Sequence, residues 1–73
     1  MLNVTFSINL TSGFEQSSAA ESGMHEQGIY HKTVSEAVQF LRDWYIESIS
    51  DITMDNGRAT VLFNDESKMT ISA

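Results

Sequence analysis

An α+β fold, a two-layer sandwich in which an antiparallel sheet carries one amphipathic helix on one face, is what this chain predicts from three observations. Leu2, Val4, Phe6, Ile8 and Leu10 alternate without a break with Asn3, Thr5, Ser7, Asn9 and Thr11, the pattern of a strand with one apolar and one wetted face. A helical apolar stripe between residues 33 and 48 supplies the cover that such a face needs. Asn56-Gly57 between two alternating runs is the residue pair of a tight hairpin. The predicted order is β-β-α-β-β-β in a single domain spanning residues 1–73.

After the first strand, Thr11-Ser12-Gly13 breaks the alternation, and the small or polar residues around 12–23 predict a flexible loop. Gly28 weakens either regular structure over 24–32, but Ile29, Tyr30 and His31 suit a short strand leading into the helix. A second strand there also avoids an unstructured connection of about 20 residues, which compact domains rarely contain.

Thr33 and Glu36 have the spacing of a capping box, so the helix begins at this point. Steps of about 100° per residue place Val34, Ala37, Val38, Leu41, Trp44, Tyr45 and Ile49 in one sector, with Phe40 at its border and Ser35, Glu36, Gln39, Asp43 and Glu47 opposite. Ile46 falls outside the apolar arc. In the C-terminal third, a turn at Asn56-Gly57 pairs Asp55 with Arg58, Met54 with Ala59 and Ile52 with Val61, keeping the apolar residues on one face as far as Phe63. A three-residue turn at Asp65-Glu66-Ser67 then aligns Phe63 with Met69 and Val61 with Ile71 in the last strand.

A chain of 73 residues supports one small core, and with no cysteine it has neither disulfides nor thiol chemistry to reinforce it. Oligomerisation is the remaining source of extra burial. Ten acidic residues against four basic ones give a net charge of −6, which argues against nucleic acid and anionic membrane as partners. The excess is −2 over residues 1–33 and −4 over 34–73. No apolar stretch approaches the roughly 20 residues needed to span a bilayer, and no basic segment precedes an apolar run at the N-terminus. The expected location is cytoplasmic. Asn3-Val4-Thr5 and Asn9-Leu10-Thr11 match the glycosylation sequon but read as the polar face of a strand.

The sequence offers no constellation that points to catalysis, and no cofactor or metal is expected. His25 and His31 on one extended segment lie about 20 Å apart, too far for a shared metal unless Gly28 folds the chain back. Placing Gly57 at the sixth position of a calcium loop leaves Ile52, Met54 and Phe63 where carboxylates are needed. Glycine-rich phosphate loops and nucleophile motifs are missing as well. Trp44 and Tyr45 read as core residues with polar tips at the rim, or as an aromatic ligand platform.

These readings lead to the expectation of a small acidic, non-enzymatic accessory or regulatory module that binds another protein and self-associates through a sheet edge or exposed apolar residues. Ile46 and Leu62 point away from the core, and Glu36, Asp43, Glu47, Asp51 and Asp55 offer carboxylates to a basic patch. The competing expectation is a small-molecule binder or small enzyme with a pocket between the helix and segment 11–32, lined by Trp44, Tyr45 and His25 or His31.

Overall fold

The computed structural model describes residues 3–7 and 15–73, with side chains for all of these except 5–7 and 15. The elements are β1 (Asn3–Ser7), α1 (Glu15–Glu26), a 3₁₀ turn (Ile29–His31), α2 (Val34–Tyr45), a second 3₁₀ turn (Ile46–Ser48), β2 (Ile49–Asp55), β3 (Arg58–Phe63) and β4 (Lys68–Ser72). The four strands form an antiparallel sheet in the order β1-β4-β3-β2. One apolar cluster joins Ala20 and Met24 of α1, Val34, Ala37, Val38 and Leu41 of α2, and Ala59, Val61, Phe63, Met69 and Ile71 of the sheet. Both helices therefore cover the same face, and the fold is α+β.

Two elements differ from expectation. The segment expected as a loop is helical from residue 15 onward, while residues 12–14 lie outside those described. Its buried stripe is Ser17, Ala20 and Met24, at helical spacing but built of small side chains that give little apolar contrast. The expected strand at 24–32 is instead the end of α1, a reversal at Gly28 with φ +68°, and the 3₁₀ turn. Among the described residues, four strands and two α-helices stand where five strands and one helix were expected. The expected burial of Leu2, Phe6, Ile8 and Leu10 concerns side chains outside those described. Leu41 and Val61 share the one interior.

α2 begins with the expected capping box: Glu36 N donates to Thr33 Oγ1 at 3.1 Å, and Thr33 N donates to Glu36 Oε1 at 3.2 Å. The backbone hydrogen bond from Thr33, and then its hydroxyl, hold the Glu36 carboxyl below the ordinary glutamate range. Among the described residues, α1 is capped from a distance. Gln16 N donates to Asp65 Oδ2 at 3.1 Å, and Asp65 N donates to Gln16 Oε1 at 2.8 Å, across 49 residues of sequence.

The β2–β3 hairpin has the expected register, with Asn56 and Gly57 at φ +51° and +74°. The β3–β4 register differs: Val61 faces Met69 and Ala59 faces Ile71. The loop is centred on Asp65, closed by Phe63 N to Ser67 O at 2.9 Å, with Glu66 in the left-handed region at φ +71°. This is a type I turn followed by a left-handed residue. The displacement moves each strand by one residue, so their relative shift is two and every side chain keeps its face.

The face of the sheet away from the helices is polar. Thr53, Thr60 and Thr70 lie side by side across β2, β3 and β4, with Thr5 of β1 next in register. Cross-strand threonine pairs suit a wetted β surface, because the branched side chain favours the pleat and the hydroxyl stays hydrated.

Candidate functional site

β2 is one of the two edge strands, β1 being the other, so one side of its backbone has no strand partner among the described residues. A bulge between Ile49 and Asp51 sets its face pattern. Ile49 faces Phe63 and Asp51 faces Leu62, with Ser50 the extra residue between them. The bulge turns both Ile49 and Ile52 toward the core, where they pack half-buried against it, and sends Asp51 to the polar face. Asn64 braces this corner: its Nδ2 donates to the Glu47 carbonyl at 2.8 Å, and its Oδ1 accepts from Ser50 Oγ at 3.0 Å.

The helices leave this margin of the sheet incompletely covered. Ile46 is 54 % exposed and Met54 47 %, and a hollow of about 330 Å³ beside Ile46 is lined by Arg42, Ile46, Ile49, Ser50, Asp51 and Ile52. Ile46 is exposed as its helical angle predicts, and Leu62, 36 % exposed, lies on the polar face. Met54 was expected on the buried face. It keeps the predicted pairing with Ala59, but β2 is outermost and neither described helix covers Met54 at the hairpin end of the strand. Its register gives its face, whereas its exposure depends on the strand order.

The five carboxylates singled out in the sequence divide between two sides of the molecule. Glu36 and Asp43 lie on α2, the first in the capping box and the second accepting from Gln39 Nε2 at 2.8 Å. Glu47 lies in the 3₁₀ turn entering β2, while Asp51 and Asp55 occupy β2. Asp55 faces Arg58 and Asp51 faces Leu62. Ile46, Glu47, Asp51 and Asp55, with Leu62 beside Asp51, thus cluster along one margin.

A second hollow, of about 450 Å³, lies beneath the reversal at Gly28 and is lined by Glu21, His25, Tyr30 and His31 with Asn3 and Val4. The long separation expected for the two histidines does not occur, because α1 and the left-handed Gly28 fold their segment back. Tyr30 Oη donates to Glu21 Oε2 at 2.5 Å, and the His25 ring packs edge-on against Tyr30. Burial, reinforced by the Glu21 carboxylate, holds the Tyr30 phenol well above the ordinary tyrosine range. Among the described residues no group of three or more histidine, cysteine or acidic side chains is placed to hold a metal, and no helix is long and apolar enough to cross a membrane.

Of the aromatic residues of α2, Trp44 departs from expectation, while Phe40 at the border of the arc and Tyr45 do not. Trp44, assigned to the apolar arc, is 74 % exposed. Tyr45 and Phe40 are half-buried, with Tyr45 Oη donating to the Ala19 carbonyl at 3.3 Å. Once α1 occupies the groove beside α2, the arc that meets the sheet is narrow and Trp44 falls outside it. The chain matches no family model, and it finds no match among curated proteins or solved structures.

Proposed function

We propose that this protein is a non-catalytic binding module that takes an extended segment of a partner protein onto the β2 edge. In strand addition the backbone supplies affinity and the flanking side chains supply selectivity. The observation that carries the reading is the edge of β2, which has no strand partner among the described residues and is bordered by exposed Ile46 and Met54. An apolar margin on an unblocked edge is a surface that proteins acting alone usually protect with lysine, proline or a cover.

Charge favours a basic partner over a second copy of the chain. Glu47, Asp51 and Asp55 border the edge against Arg42 in the adjoining hollow and Arg58 opposite Asp55, which leaves the acids in excess there, and the chain carries −6 overall. Antiparallel self-pairing centred on Thr53 sets Asp51 of each copy against Asp55 of the other, a like-charge juxtaposition that weakens sheets.

An eight-residue peptide alternating valine with lysine, and its glutamate counterpart, test the reading by NMR. The lysine peptide is expected to shift amide signals within Ile49–Asp55, the glutamate peptide to leave them unmoved, and Met54→Lys to suppress the response. Shifts spread away from β2, or equal responses to the two peptides, contradict the proposal. Sedimentation at high protein concentration separates this reading from self-association.

A further inference from the structure

On the outer side of the helix pair, Phe40, Trp44 and Tyr45 border a hollow of about 340 Å³ together with Gly23, Glu26 and Gln27. That volume is at the lower end of small-ligand sites. The Phe40 ring centroid lies 6.5 Å from that of Trp44 with the rings tilted by 33°, and 6.0 Å from that of Tyr45 with a tilt of 53°. The three rings splay around the opening rather than stack flat on one another.

An exposed indole leaves much of its burial free energy unused, and here it borders a concave site instead of standing alone. The polar groups decide which guest fits. Glu26 contributes a carboxylate, no basic residue is among the described residues lining the hollow, and the last turn of α1 brings the negative end of its helix dipole to the same rim. Aromatic faces attract cations through their quadrupole, most strongly at tryptophan. A neutral apolar guest would use the rings but gain nothing from Glu26, and an anion would be repelled.

We infer that this hollow binds a methylated ammonium group, held by the faces of Trp44, Tyr45 and Phe40 and neutralised by Glu26. A quaternary ammonium suits it better than a bare ammonium, because its methyl groups make apolar contact with the rings and it gives up less hydration. The group can arrive as a free quaternary amine or as a methylated lysine side chain. Both present the same chemistry to the rings. The site is separate from the β2 edge, so either reading can fail without the other.

Trp44 is the only tryptophan in the chain, so its fluorescence reports on this hollow directly. Tetramethylammonium is expected to change that fluorescence along a saturable curve, with dissociation in the range of about 0.1–10 mM for so small a ligand. The neutral isostere of choline, 3,3-dimethylbutan-1-ol, is expected to give no saturable change at the same concentrations. Glu26→Gln weakens tetramethylammonium binding about fivefold, and Trp44→Ala, followed by calorimetry, about tenfold or more. Both side chains are exposed, so the variants fold. Choline and a trimethyllysine peptide, titrated separately, distinguish the two sources by which binds more tightly. An equal response to the neutral isostere, an unchanged affinity in Glu26→Gln, or the lack of any saturable response to the cations overturns the proposal.

Discussion

Tyr45 crosses α1 at Gly23, where the phenol occupies the space that a Cβ atom would fill. A methyl group at position 23 collides with Tyr45 Oη and comes to 3.0 Å from Cζ, while the hydroxyl is tied to the Ala19 carbonyl one turn earlier. The two helices meet through this contact. Glycine inside a helix ordinarily costs about 1 kcal/mol relative to alanine, and here the close approach offsets that cost.

Gly23→Ala is therefore expected to destabilise the protein by about 1–3 kcal/mol despite the better helix propensity of alanine. Urea denaturation of the single variant, and of the same change in a Tyr45→Leu background, checks this. In the second background the penalty should shrink or reverse, because the obstructing ring is gone.

Asp65→Ala removes the only described side-chain cap of α1 and should cost about 1–2 kcal/mol. Burial raises the Asp65 carboxyl, but hydrogen bonds from the Ser67 hydroxyl and from the Ser67 and Gln16 amides outweigh it and hold the group below the ordinary aspartate range. A lowered folded value means that its stabilisation is present above about pH 4 and is lost as the pH falls through that folded value. Denaturation followed from pH 6 to pH 2 should show a shallower acid loss in the alanine variant than in the parent.

Glu66 occupies a left-handed backbone conformation in the β3–β4 turn, where residues with a Cβ are disfavoured. Glu66→Gly is expected to raise stability by about 0.5–1 kcal/mol, measured by thermal unfolding. A loss of stability would mean that the glutamate side chain contributes more than its backbone strain removes.

Tyr30 should resist ionisation. The chain has two tyrosines, so Tyr45→Phe leaves Tyr30 as the sole phenol for spectrophotometric titration. Its ionisation is expected above the ordinary value of about 10. A raised folded value means that its stabilisation is complete below the unfolded value and is lost as the pH rises through the folded one. Glu21→Gln should bring the onset to lower pH.

The parts of the fold legible in the sequence are those where a local signal and a tertiary role coincide. Thr33 with Glu36 marks the start of α2, and Asn56-Gly57 sets the hairpin register, because each acts on neighbouring residues. α1 escapes because its buried face is Ser17, Ala20 and Met24, and because its cap lies on the β3–β4 turn. The same distant use of Asp65 accompanies the one-residue displacement of that turn. At the candidate sites, the exposure of Ile46 follows from helical geometry, whereas that of Met54 and Trp44 depends on strand order and on the neighbour of α2. Single-sequence periodicity carries neither.

The pairing of Gln16 with Asp65, and of β1 with β4, has a temporal consequence during synthesis. The first helix and first strand leave the ribosome before the segment that caps the one and pairs with the other exists, so the cap must await Asp65 and the strand pairing residues 68–72. Contacts of this separation slow folding. Until then α1 packed on α2, and the β2–β3 hairpin, are the native structure whose partners lie close along the chain, while β1 has a strand partner only once β4 has emerged.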